Sequence, residues 1–318
     1  GSTMALPNDP IMLLSMINLK LRDFYPTLDA LCEDLDEDKA ALCARLSAVG
    51  YAYDPQRNQF VRQQEDAAMI QGTYYKEWSR MLGRDMEFKV YGHAGTPVLA
   101  LPARGGRFYD WENNGMPDAI APLLNEGKVQ LFCADSIDAE SLLAGDTAPR
   151  RRAEMQEKYF NYLTSELAPR ILTLNGAKKD TLLWAVGVDT GAYQAVNCRL
   201  RRPEVFAGAI GLSGLYDVSR FLGNAADDLV LRNAPLAYLA EEGLVDKKLL
   251  AKAEENALLL CAGQGSYEGD ALVDTQAMAD ALTDCGLPVH LEVWGSDGSH
   301  DWYWWGKELN LFAARVFG

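Results

Sequence analysis

One stretch constrains this chain more than any other: Thr181-Leu-Leu-Trp-Ala-Val-Gly187-Val188-Asp189-Thr190-Gly191-Ala-Tyr-Gln-Ala195. An apolar run from Leu182 to Val186 reaches a glycine, crosses Asp189 and leaves through a second glycine into a segment with helical spacing. That pattern predicts a strand, a sharp turn and a helix, the geometry of a nucleophile elbow. The turn forces its central residue into a strained conformation. Larger side chains two positions to either side would collide with neighbouring backbone, so both flanking positions call for glycine. The central residue of such an elbow is normally serine, and here it is Asp189.

The rest of the chain supplies a context for that turn. Apolar runs at Thr96–Pro102, Val129–Ala134, Leu182–Val186, Ala207–Leu212, Ala257–Cys261 and Val289–Trp294 read as strands, after an alternating strand at Met86–Tyr91. Helical stretches such as Arg152 to Leu167 lie between them. Strands alternating with helices predict an α/β fold with a mostly parallel central sheet, its functional residues on loops at the carboxyl ends of the strands. Before it, Asp9-Pro10 caps an amphipathic run from Ile11 to Phe24, Thr27 caps a second short helix and Gly50 stops a third. Tyr51 to Phe60 alternates as a short hairpin would. A small helical domain over residues 4–62 is therefore expected ahead of an α/β domain over 73–318, with the boundary in the polar stretch Gln63 to Gly72. Asn224 to Lys252, rich in Ala, Leu and charge, reads either as a lid over the site or as a solvated surface helix.

The 318 residues carry 30 basic and 45 acidic side chains, a net charge of −15. That excess argues against nucleic acid or an anionic membrane as partner, and residues 4–62 are themselves more acidic than basic. Six scattered cysteines form no C-x-x-C pair and no cluster of metal spacing, so they read as reduced core residues. Gly1-Ser2-Thr3 before Met4 looks like a remnant of cloning. No signal-like segment follows and no apolar run is long enough to span a bilayer, so a cytoplasmic location is expected. The apolar face of Ile11 to Phe24 would favour self-association.

Three elements frame a candidate site. His300 lies in the loop Gly295-Ser-Asp-Gly-Ser-His300 past the last strand, the place for a general base. Glu268, in Gly263-Gln-Gly-Ser-Tyr-Glu268, can accept from the far imidazole nitrogen, with Asp270 as its neighbour and rival. Gly105 and Gly106, after the strand ending at Pro102, and the N–H of Thr190 are the expected oxyanion donors. Arg107, Trp111 and Trp302 are expected to line a pocket, with Trp304 and Trp305 close by. His93 and His290 read as structural.

With those residues in hand, a resemblance becomes specific. From about Glu77 onward the chain resembles the "Putative esterase" family of α/β-hydrolases, which includes the esterase D and S-formylglutathione hydrolase type enzymes. The elbow form G-C-S-x-G-x-Y-x-A-x-N is matched by Gly187-Val-Asp189-Thr-Gly191-Ala-Tyr193-Gln-Ala195-Val-Asn197, L-S-G-x-Y-D by Leu212 to Asp217, and His-Asp-Trp by His300-Asp301-Trp302. The resemblance implies an α/β-hydrolase fold, Glu268 as the acid, and hydrolysis of a small ester or thioester through a triad, without metal or organic cofactor. The first sixty residues resemble a small bacterial domain family of unknown function, which implies no activity.

Asp189 stands where that family has serine, and three readings follow. As a nucleophile, Asp189 would suit saturated carbon, in an epoxide or a halide, since attack on an ester would give an anhydride. As a silencing residue, its carboxylate would fill the oxyanion hole and pair with protonated His300, leaving a pseudo-esterase that binds a ligand or partner. It could also be an introduced substitution. Ser213 cannot replace it, because Leu215 occupies the position of the second elbow glycine.

Overall fold

The computed structural model describes residues 5–63 and 70–318. The expected domain boundary falls largely on residues 64–69, which lie, with residues 1–4, outside the described residues.

At the N-terminus, helices α1 (Pro10–Asp23), α2 (Leu28–Asp34) and α3 (Lys39–Ser47) are followed by a two-stranded ribbon, β1 (Tyr51–Asp54) and β2 (Gln59–Arg62). Asp9, Thr27 and Asp38 cap the three helices by accepting from backbone N–H groups of the first turn. Such caps satisfy donors that have no partner within the helix. Leu13, Ile17, Leu28, Leu31, Leu46 and Phe60 close a small core of their own, against which Tyr303 of the C-terminal segment also packs.

The remaining strands are β3 (Gly72–Ser79), β4 (Arg84–Tyr91), β5 (Thr96–Leu101), β6 (Val129–Ala134), β7 (Leu183–Val188), β8 (Phe206–Leu212), β9 (Leu258–Ala262) and β10 (His290–Val293). They form one eight-stranded sheet in the order β10-β9-β8-β7-β5-β6-β4-β3. Pairings from β6 through β10 are parallel, while β3 with β4 and β4 with β6 are antiparallel. The sheet is mostly parallel, as the strand pattern predicts, and the fold is the α/β-hydrolase fold that the resemblance implies. Helices cover both faces. Leu99, Leu101 and Phe132 point into a core shared with α4 (Pro149–Asn161), α6 (Thr190–Arg201) and α7 (Gly269–Asp284). Helix α5 (Ala168–Asn175), reached through the π-helical stretch Tyr162–Leu167, also lies on that side. Val98, Ala100, Leu131 and Val186, alternating with the first set, point to α8 (Trp302–Phe317) on the other face. Alternation between two buried faces is why these strands read as continuous apolar runs.

Two features depart from expectation. Strand β3 extends the sheet ahead of Met86; as an edge strand with few buried side chains, it offers little apolar signal. Residues 224–252 fold as short helical turns whose Val230, Tyr238, Leu239 and Leu250 sink into the core, so this segment is no lid.

Candidate active site

The site grows from the turn between β7 and α6. Asp189 adopts φ 59° and ψ −123°, the strained conformation an elbow requires. The flanking glycines are needed for space: a Cβ on Gly187 would lie 2.0 Å from the Gly191 oxygen, and one on Gly191 would lie 2.3 Å from the Pro102 oxygen. Helix α6 is buried along nearly all its length. Tyr193 donates to the Asn233 carbonyl at 2.6 Å, and Asn197 accepts from Tyr238 at 2.9 Å. The tyrosine and asparagine of the elbow motif thus anchor the helix to the 233–238 segment.

Asp189, 1 % exposed, has both oxygens occupied. Oδ2 accepts from the Arg104 backbone N–H and from Arg104 Nε, each at 3.0 Å. Oδ1 accepts from Arg104 Nη2 at 2.9 Å and from His300 Nε2 at 2.7 Å. A forked guanidinium–carboxylate pair is among the stronger charge-assisted arrangements. Burial by itself pushes the Asp189 carboxyl up, but the hydrogen bond and charge of His300 and the charge of Arg104 outweigh it and hold the group well below the usual carboxylate range.

On its other side His300 Nδ1 lies 2.9 Å from Glu268 Oε2. With a carboxylate oxygen within hydrogen-bond distance of each ring nitrogen, both nitrogens have an acceptor for an N–H, the arrangement that favours imidazolium. Burial lowers the His300 pKa, yet the hydrogen bonds and charges of Asp189 and Glu268 carry it up to about 9. Glu268 is held in turn: its Oε1 accepts from Ser213 Oγ at 2.7 Å and from the Gly263 N–H at 2.9 Å, and Trp305 Nε1 donates to Ser213 Oγ at 2.9 Å. Ser213 is therefore a positioning residue. Ser213→Ala would take one donor from Glu268 and orphan the buried Trp305 N–H. It is expected to lower stability by about 1–3 kcal/mol, read from urea denaturation.

The loop after β5 differs from expectation in detail. The Gly105 N–H donates to Asp138 at 3.0 Å, and the Gly106 N–H donates to the Ala103 carbonyl. Neither glycine N–H points at residue 189; the one that does belongs to Arg104. Asp138 also accepts from the Thr190 hydroxyl at 2.9 Å, which ties the loop after β6 to the start of α6. Its burial raises the carboxyl to about 6 against these hydrogen bonds. Thr190 sits beside Asp189 as the first residue of α6.

A cavity of about 560 Å³ opens above Asp189 and His300, with Arg107, Trp302 and Trp305 in its wall. Trp111 is elsewhere: it is 1 % exposed, donates to the Leu101 carbonyl and belongs to the core under the sheet. Asp270 pairs with Arg220, and the carboxylate bound to the His300 ring at Nδ1 is that of Glu268. Trp304 does not line the cavity either. Sequence reasoning missed Arg104 and Asp138. An arginine on the oxyanion loop of a chain with an acidic elbow is the complementary charge that could have revealed the first. Nothing in the pattern marks the second.

Comparison with known proteins places the fold. Residues 79–315 match the family model described as "Putative esterase", and residues 7–60 match a domain of unknown function, DUF4250. No curated protein sequence matches the chain. Among solved structures, a ferulic acid esterase from the anaerobic fungus Anaeromyces mucronatus superposes with a TM-score of 0.60 at 12 % identity, covering 80 % of this chain and 94 % of that one. An S-formylglutathione hydrolase from Agrobacterium tumefaciens gives 0.56 at 17 % identity over 81 % and 99 %. MPT51 from Mycobacterium tuberculosis gives 0.58 at 16 % identity over 78 % and 98 %.

Proposed function

Because the chain belongs to the "Putative esterase" family yet carries Asp189 at its elbow, we propose that its pocket binds a small molecule and does not carry out serine-type acyl transfer. The observation that carries this reading is the saturation of the Asp189 carboxylate by Arg104 and His300. A nucleophile needs a free lone pair aimed at the substrate, whereas here each oxygen accepts two charge-assisted or backbone hydrogen bonds. A general base needs an unprotonated nitrogen, whereas His300 with a pKa near 9 stays protonated at neutral pH. The N–H that would receive a tetrahedral oxyanion already serves the elbow's own carboxylate. Each part of an acyl-transfer site is thus engaged by another part of the protein.

Hydrolysis of a small ester through Asp189, His300 and Glu268 has less support, since a carboxylate attacking an ester would form an anhydride and the carboxylate is bound. Asp-nucleophile chemistry on an epoxide or haloalkane is the competing outcome of one experiment. The unaltered protein and His300→Ala are incubated with a panel of short esters, thioesters, epoxides and haloalkanes and weighed intact by mass spectrometry. No product and no adduct are expected from either protein. An alkyl adduct on Asp189 that accumulates in His300→Ala would overturn the proposal in favour of the nucleophilic carboxylate.

A further inference from the structure

The cavity above Asp189 has two walls from different parts of the chain. One is the hydrolase loop carrying Arg104 and Arg107; the other comes from α1 and the β1–β2 turn, with Leu19, Arg22 and Arg57 among its residues. The N-terminal module is seated on the hydrolase domain by specific contacts. Tyr303 packs against its core, and the Arg57 guanidinium lies 4.8 Å above the Tyr109 ring. The lining of the cavity is cationic in a protein of net charge −15. Four arginines and the His300 imidazolium stand against Asp110, Asp189 and Asp301. Burial carries Asp301 to about 7, so it is only a partial counter-charge, and the Asp110 carboxylate is engaged by the Arg107 backbone N–H. The carboxylates that pair with Arg22, Arg57 and Arg107, namely Asp23, Asp54, Asp135 and Glu87, do not line the cavity.

We infer that the N-terminal module is the cap of this pocket and that its Arg22 and Arg57 select a small carboxylate-bearing ligand. The inference rests on the reading of the pocket as a binding site and gives the module of unknown function a role in it. Guanidinium groups suit a carboxylate through their charge and their several N–H donors; the Nε and Nη2 of Arg22 serve Asp23 and the Nη1 of Arg57 serves Asp54, which leaves the remaining N–H groups of each for the ligand. Trp302, Trp305 and Phe60 supply apolar wall for the ligand's body.

The test uses the full chain with benzoate, phenylacetate and hexanoate, each beside its uncharged amide, by titration calorimetry and thermal shift. At least one acid is expected to bind, with its amide weaker by about tenfold or more. Arg22→Ala combined with Arg57→Ala is expected to lower affinity for that acid by about tenfold as well, with an unchanged circular dichroism spectrum. Leu19→Trp, which fills the cavity from the cap side without touching a charge, is expected to abolish binding. The inference is overturned if no acid binds, if amides bind equally, or if the double variant keeps full affinity. Ester turnover by the unaltered protein is a separate result: it would end the proposal of an arrested site and leave the role of the cap arginines to be judged by these titrations alone.

Discussion

Asp189→Ser is expected to turn this protein into an esterase. The substitution removes one of the two carboxylates that hold His300 as imidazolium, so its pKa falls from about 9 and Nε2 becomes free to accept a proton. Glu268, fixed by Ser213 and the Gly263 N–H, still orients the ring from Nδ1. The Arg104 N–H, released from the Asp189 carboxylate, becomes available to a tetrahedral oxyanion. A positioned general base contributes roughly 10²–10⁴-fold and one oxyanion donor roughly 10²–10³-fold, so short 4-nitrophenyl esters should be cleaved at least about 10³-fold faster than by the unaltered protein. A fluorophosphonate probe should then label Ser at position 189 and leave the unaltered chain unlabelled. Equal, negligible rates for both proteins, with Asp189→Ser folded, would mean that the aspartate is not what holds the chemistry back.

Stability should fall as pH rises from neutral to alkaline. His300 is raised from an ordinary value of 6.5 to about 9 in the folded protein, so folding takes up a proton between those limits. The stabilisation is fully present below pH 6.5 and is lost as pH passes through 9. A shift of this size corresponds to about 3 kcal/mol. Asp138 and Asp301, raised by burial to about 6 and about 7, act with the same sign at lower pH, and buried Cys133, Cys198 and Cys261, raised by burial, add to the loss in the alkaline range, so the histidine's share is the difference between the unaltered protein and His300→Gln. Urea denaturation from pH 7.5 to 10 should register the loss, and His300→Gln should make it smaller by the histidine's contribution. A loss in the unaltered protein no larger than that in His300→Gln would contradict the paired imidazolium.

Much of the fold was legible because burial on both faces writes strands as unbroken apolar runs. Strands β5 to β9 and the elbow glycines were readable on that ground, and the glycine requirement is steric. Strand β3 was not readable, since an edge strand mixes exposed and half-buried positions. The positions of His300 and Glu268 followed from chain order, and the structure brings both to Asp189. What lay beyond the sequence was long-range pairing. Arg104 sits 85 residues from its carboxylate partner, and the two glycines after it drew attention as donors although their N–H groups are used within neighbouring loops. A cover over the site is one reading of the Ala, Leu and charge content of residues 224–252, beside that of a solvated surface helix. The cover comes instead from the start of the chain, which only tertiary packing reveals.

The most direct measurement is ¹⁵N nuclear magnetic resonance of the His300 ring, assigned by comparison with His300→Gln among the chain's three histidines. An arrested site requires both ring nitrogens to be protonated at pH 7.5 and to titrate together near 9. A neutral ring at pH 7.5, with one nitrogen free to accept a proton, would contradict it and return Asp189 to the role of a working residue.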